Sequence, residues 1–245
     1  VDDTMLNQLK NDGRIKKMNK GLDSLHKLGL PHIFLDDLDA PTLSKSHYHH
    51  IKDVKRIRVG AHLTGTDGKG SWRIFQFEKS SLTPIGPKHY CDPPKITSAI
   101  YISITKSGKP DLVTQKLTEL GVGTINFFFS ERSVPKWDTE KISKNEKKLT
   151  IISHLALAQS KGVWLPKLRL GGTFETVVKD TPIALAHKSA STLPKHIRSV
   201  AIGPEGGWSE EELASDNDKY SIHRLNLRAE TAAITIGALL ESYRS

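Results

Sequence analysis

Val200-Ala201-Ile202-Gly203-Pro204-Glu205-Gly206-Gly207-Trp208-Ser209-Glu210-Glu211-Glu212 decides how the rest of this chain is read. An apolar strand runs into a turn holding three glycines. Ser209, with Glu212 three residues later, makes a capping box that opens a helix. Strand, turn and helix in that order belong to an α/β domain, and glycines at the strand end let a backbone approach a ligand closely. A phosphate cradle is the usual occupant of such a turn. Here Glu205 and the run 210–212 put negative charge where an anion would sit, so a neutral or cationic ligand, such as a sulfonium cofactor, fits better. A tight structural turn would use the same glycines, and the local motif alone does not separate the two.

Downstream, the strand-like Ile222-His223-Arg224-Leu225-Asn226-Leu227 leads into Arg228-Ala229-Glu230-Thr231-Ala232-Ala233. Small residues at a helix start again allow close backbone approach, while Arg228, Glu230 and Thr231 bring charge and hydrogen-bonding groups to the same end. Upstream, apolar runs predict strands over 96–104, 124–129, 181–186 and 199–202. Helical spacing predicts helices over 111–120, ended by Gly121, over 144–160 and over 230–243, with one starting at 210–214. The alternation predicts a mostly parallel sheet, with ligand beyond the carboxyl ends of its strands.

Between Pro31 and Pro94 the texture is β-rich. Ile33-Phe34-Leu35, Ile57-Arg58-Val59 and Trp72-Arg73-Ile74-Phe75-Gln76-Phe77 are short apolar stretches separated by turn residues, and Asp67-Gly68 signals a hairpin. Residues 65–70 do not make a P-loop, because Gly70 follows Lys69 and Leu63 stands where the first glycine is required. The stiff Cys91-Asp92-Pro93-Pro94 marks a boundary. Met18, Leu22, Leu25 and Leu28 predict a short amphipathic helix in an extension, residues 1–30.

The 245 residues carry 36 Lys and Arg against 27 Asp and Glu, a net charge of +9, which suits a polyanionic partner. A hydrophobic share of 37% is enough for a true core rather than a disordered chain. A lone cysteine, Cys91, excludes an internal disulfide and points to a reducing, cytoplasmic setting. No apolar run approaches the ~20 residues that span a bilayer, and the first 20 residues are not signal-like. His47, His49 and His50 lack a carboxylate or cysteine partner at ligand spacing, so no metal is expected.

The pair Gly203-Pro204-Glu205-Gly206-Gly207-Trp208-Ser209 and Leu227-Arg228-Ala229-Glu230-Thr231-Ala232 resembles the RsmE family of 16S rRNA methyltransferases. Further matching features follow in order: His49-His50-Ile51, Asp67-Gly68-Lys69-Gly70, Lys106, Gln115-Lys116-Leu117-Thr118-Glu119-Leu120-Gly121, Ser130-Glu131-Arg132-Ser133 and Gln159-Ser160. The resemblance covers residues 31–245. It implies a PUA-like RNA-binding β-barrel over 31–94 and a SPOUT α/β domain with a trefoil knot over 95–245. It also implies a homodimer that transfers a methyl group from S-adenosylmethionine to N3 of a uridine, uridine 1498 in the family, in the small ribosomal subunit. Carried over by position, the cofactor pocket would use Leu185, Ile202, Gly203, Glu205, Gly206, Leu225, Leu227, Arg228, Thr231 and Ala232. Where the family has Glu-Gln-Ser-x-Arg, this chain has Ala158-Gln159-Ser160-Lys161-Gly162, and Lys55 replaces an apolar residue.

Uracil N3 carries a proton that must leave, so a nearby base is needed. Glu119, Glu205 and Glu230 are candidates, with Arg132 or Arg228 able to stabilise charge on the uracil oxygens. The catalytic set is Arg132, Glu205, Arg228 and Glu230. Lys52, Arg56 and Arg58, extended by Lys106, Lys109 and Lys116, form the expected phosphate-tracking surface. A non-catalytic RNA-binding factor that kept the fold is the rival, motivated by Ala158 and Gly162. A nucleotide-dependent oxidoreductase is excluded, since no Gly-x-Gly-x-x-Gly opens a βαβ unit.

Overall fold

The computed structural model describes residues 21–43, 57–105, 109–179 and 182–243. The chain divides into two compact units: Val1–Pro93 with Leu157–Trp164, and Pro94–Ala156 with Leu165–Ser245. A division at residues 94/95 into two contiguous domains does not foresee the segment Leu157–Trp164. It joins the first unit because Gly70 N–H donates to Val163 O at 2.7 Å and Gly162 O accepts from His32 Nε2 at 3.2 Å.

The first unit contains α1 (Leu22–Lys27), β1 (His32–Phe34), β2 (His62–Thr66), β3 (Ser71–Phe77) and β4 (Leu82–Tyr90). Among the described residues these form a four-stranded sheet in the order β1-β2-β3-β4, with β1 parallel to β2 and the other pairs antiparallel. Strand periodicity explains why β3 holds it together. Trp72 and Ile74 face a cluster with Leu25, Cys91 and Val163, while Phe75 and Phe77 face Leu35, Leu63 and Leu82 on the other side. His32 of β1 is buried. A carbonyl can only accept, so His32 Nε2 donates to Gly162 O, while Nδ1 meets the Thr64 hydroxyl at 2.8 Å, which in turn donates to Pro31 O at 3.2 Å.

The hairpin expected at Asp67-Gly68 joins β2 to β3, but across four residues. Asp67 Oδ1 accepts from the N–H groups of Lys69 and Ser71, and Gly68 and Gly70 both have positive φ. Gly70 is required twice over, since a Cβ there would lie 2.4 Å from the Trp164 ring. Residues 57–59 are no strand: Ile57 is buried in the Leu35 cluster, while Arg58 and Val59 are exposed at a turn. Of the expected N-terminal helix, Leu22 and Leu25 lie on α1, Leu28 caps its end, and Met18 lies outside the described residues.

The second unit runs β5 (Ala99–Ser103), α2 (Pro110–Leu120), β6 (Thr124–Phe129), α3 (Thr139–Ser160), β7 (Lys167–Thr173), α4 (Phe174–Val178), β8 (Ala184–Thr192), β9 (Ser199–Ile202), α5 (Glu210–Ala214), β10 (Lys219–Ser221) and α6 (Ala229–Ser242). Its six strands are all parallel, in the order β10-β8-β9-β5-β6-β7. Parallel neighbours need long crossovers, which the helices supply. From β5 the chain steps outward through β6 to β7, then returns to lay β8 and β9 on the opposite side of β5. One sheet face packs Ile100, Ile102, Ile125 and Phe127 under Val113 and Leu117 of α2, Leu149 of α3 and Ile236 and Leu240 of α6. The other packs Tyr101, Phe128, Leu185 and Ala201 against Phe174 and Trp208.

Two expected elements start elsewhere for identifiable reasons. The helix of 144–160 begins at Thr139, because Asp138 Oδ1 accepts from Lys141 N–H at 2.8 Å and caps the earlier turn. Residues 222–227 are not a strand. The pairing with β8 is made just upstream by Lys219–Ser221, and Leu225 N–H turns instead to His223 Nδ1 at 3.1 Å.

Candidate active site

Strand β9 ends at Ile202, and Gly203 opens the turn that follows. A Cβ on Gly203 would lie 3.0 Å from the Trp208 indole, so glycine permits the close approach of strand end and ring. Gly207 N–H closes the turn on Pro204 O at 2.9 Å, with Gly207 at φ +73. Trp208 is then buried, stacked on Phe128 with ring centroids 6.3 Å apart, and its Nε1 donates to Ala186 O at 3.0 Å. That bond ties the glycine turn to the neighbouring strand β8.

The expected capping box is present: Glu212 N–H donates to Ser209 Oγ and Ser209 N–H donates to Glu212 Oε2. Glu212 does more than cap. Its carboxylate, 4% exposed, also accepts from Ser130 Oγ at 2.8 and 3.0 Å and from Glu131 N–H at 3.1 Å. The loop after β6 is thereby fastened to the start of α5. The same loop carries Arg132, whose Nη1 donates to Gly206 O at 3.2 Å. Of the four glutamates read as repelling an anion, Glu212 is consumed internally, Glu210 and Glu211 are exposed away from the cleft, and Glu205 lines it.

The cleft has a volume of about 570 Å³ and lies past the carboxyl ends of β9 and β10, beside residues 186–188 of β8. Ile202, Gly203 and Glu205 form one wall. Leu225, Leu227, Arg228 and Ala232 form another, the last held by the first bond of α6, Ala232 N–H to Arg228 O at 2.8 Å. The two constellations read from sequence therefore meet around one space. Leu185, Gly206 and Thr231 stand off its walls. Leu185 is fully buried beneath Ala186, which does line the cleft; Gly206 faces Arg132; Thr231 is exposed on α6. Among the catalytic candidates, Glu205 and Arg228 line the cleft and Arg132 touches its loop. Glu230 is buried in the first turn of α6 and is absent from the walls. Glu119 is paired with Lys116 at 2.8 Å on α2 and also lies off the cleft.

Sequence reasoning missed a third wall, made by Ala186, His187 and Lys188. The cause is a jump in register: Lys219 of β10 pairs with Leu185, yet Tyr220 pairs with Ser191, so residues 186–190 bow out of β8 toward the cleft. Periodicity carries no trace of such an excursion. Asn226 and the Trp208 ring also line it, and both lay inside the stretches already singled out.

The residues present fit S-adenosylmethionine. The volume is in the usual range for a small-molecule site, on the order of 300 to 1,000 Å³. Apolar side chains (Ile202, Leu227, Ala232) suit a purine face, Gly203 and Ala232 admit backbone approach, and Glu205 offers a carboxylate for hydroxyls or a cationic sulfur.

Of the phosphate-tracking candidates, Arg58 is exposed in the first unit. Lys109 is exposed before α2, in a left-handed conformation with φ +41, and Lys116 is taken up by its ion pair with Glu119. Lys52, Lys55, Arg56 and Lys106, like His47, His49 and His50, lie outside the described residues.

Comparison with known proteins gives a consistent picture. The chain is 29% identical to ribosomal RNA small subunit methyltransferase E 2 of Borreliella burgdorferi, over 80% of this chain and 90% of that protein. It is 25% identical to ribosomal RNA small subunit methyltransferase E of Bacillus subtilis, over 80% of this chain and 88% of that protein. Among solved structures, a putative methyltransferase from Legionella pneumophila in complex with SAM matches with a TM-score of 0.76 at 26% identity, covering 87% of this chain and 97% of that one. The model of the RNA methyltransferase domain family matches residues 92–241, a span holding every wall of the cleft. By that match, over more than half its length, the chain belongs to the RNA methyltransferase domain family.

Proposed function

We propose that this chain methylates N3 of a uridine in 16S rRNA of the small ribosomal subunit, using S-adenosylmethionine held in the cleft beyond the ends of β9 and β10. The observation that carries the reading is the meeting of the glycine turn and residues 225–232 around one space of about 570 Å³. S-Adenosylmethionine, held by Ile202, Gly203, Leu227 and Ala232, would supply a transferable methyl group on a positive sulfur. The chain's part is to hold the uracil in line, move its N3 proton and balance the charge left on its oxygens. Of the three carboxylates considered, Glu205 lines the cleft, and we assign it the proton. Arg228 on the facing wall and Arg132, anchored on Gly206 O, are assigned the uracil oxygens. A uracil whose edge is paired offers no free N3, so the target must be splayed from its partner before transfer.

The finer architecture belongs to the same reading. Residues 31–94 serve as a PUA-like RNA-binding β-barrel, supported by the β-rich first unit. Residues 95–245 form a SPOUT domain whose final segments thread a trefoil knot, supported by the return of β8 and β9 beside β5. The enzyme works as a cytoplasmic homodimer.

The test is twofold. Calorimetric titration with S-adenosylmethionine should show binding. Small subunits from cells lacking the mark should then acquire it, read as a primer-extension stop at the modified uridine. Binding without transfer would favour the rival, a non-catalytic RNA-binding factor, for which Ala158 and Gly162 are the motivating departures. Transfer to another base or to a ribose hydroxyl would overturn the substrate.

A further inference from the structure

A second cleft in the α/β unit, about 410 Å³, shares no lining residue with the first. The parallel register lays part of its wall in one row: Tyr101 of β5 pairs with Asn126 of β6, and Asn126 pairs with Arg169 of β7. Residues in register on parallel strands present their side chains to one face of the sheet. Glu146 of α3 and Val177 of α4 also line the cleft. Asn126 is only 6% exposed, and among the described residues its buried Oδ1 has no hydrogen-bond partner. Buried amide oxygens are nearly always satisfied, so an orphan on a cleft wall marks where a donor from outside belongs.

The other walls say what kind of molecule carries that donor. The Tyr101 ring and Val177 offer apolar surface to a flat body, the exposed Arg169 guanidinium offers a fork to an anion, and the exposed Glu146 carboxylate accepts from hydroxyls. An N–H edge on a planar ring, a diol and an anionic group occur together in a nucleotide. We propose that this cleft binds a nucleoside monophosphate unit, its base N–H on Asn126 and its phosphate on Arg169. The unit is either a free nucleotide or one nucleotide of an RNA strand.

The test uses the full chain and does not pass through S-adenosylmethionine. Calorimetry with each of the four ribonucleoside monophosphates is expected to detect binding at millimolar concentration or below. Asn126→Leu and Arg169→Ala are each expected to weaken it by about tenfold or more. Arg169 is exposed, so its variant keeps the fold even if the buried substitution at Asn126 does not. S-Adenosylmethionine affinity should be unchanged in both variants, which separates this site from the methyl-transfer cleft. Anisotropy with a single-stranded RNA then identifies the source. Affinity lost in the variants assigns the nucleotide to RNA, whereas unchanged RNA affinity beside weakened monophosphate binding assigns it to the free nucleotide. No heat from any of the four at about 10 mM, with RNA affinity unaltered in both variants, overturns the proposal. So does monophosphate binding that neither variant weakens.

Discussion

Glu212 shows how one residue can serve a motif and a site together. Ser209 and Glu212 are legible as a helix start, because the box depends on spacing alone. The further bonds to Ser130 and Glu131 are not, because no local pattern links positions 82 and 81 residues apart. Replacing Glu212 with Ala removes the side-chain half of the capping box and leaves Ser209 N–H, Ser130 Oγ and Glu131 N–H without their acceptor. The expected loss is about 3 kcal/mol of stability, read by urea denaturation, with S-adenosylmethionine affinity falling alongside as Arg132 loses its anchored loop. Cys91 gives a second prediction at this scale. Burial pushes its thiol above the ordinary value, which disfavours the reactive thiolate. At pH 8 the native protein should react with a disulfide reagent far more slowly than the urea-unfolded chain, and equal rates would contradict the burial.

At the scale of elements, the strands buried on both faces were the easiest to read. Residues 124–129 and 199–202 are strands with the expected bounds, since a continuous apolar run has no other use between two helical layers. Edge elements were not. Strand β7 alternates exposed Lys167 and Arg169 with half-buried Leu168 and Leu170, a short period-two pattern that Gly171 and Gly172 interrupt. The bow in β8 was equally hidden, although Trp208, which secures it, was in plain view. Trp208→Phe keeps the stack on Phe128 but removes the N–H that holds Ala186 O. A stability loss of about 1 kcal/mol is expected, with S-adenosylmethionine binding weakened by about tenfold because the wall of 186–188 is released. Thermal melting and calorimetry on the same variant separate the two effects.

Across the whole molecule, the net positive charge suited a polyanionic partner, and the alternation of strands and helices pointed to the parallel sheet. The two constellations do meet, although the strand expected over 222–227 is replaced by Lys219–Ser221 just upstream. What escaped was the discontinuous first unit, because residues 157–164 read locally as the end of one helix and a connection. Val163 is 3% exposed, and Trp164 meets Tyr90 edge-on with ring centroids 5.9 Å apart. A fragment of residues 94–245 would strip both of their cover. Its expected behaviour is a lowered melting temperature and concentration-dependent association by light scattering, relieved when Val163 and Trp164 are both changed to Ser.

The same arrangement has a bearing on synthesis. A ribosome delivers Trp72, Ile74 and Cys91 well before Val163, so the nascent N-terminal sheet must wait with one flank uncovered until the end of α3 leaves the exit tunnel. Maturation of the first part of this polypeptide is therefore timed by translation of the second.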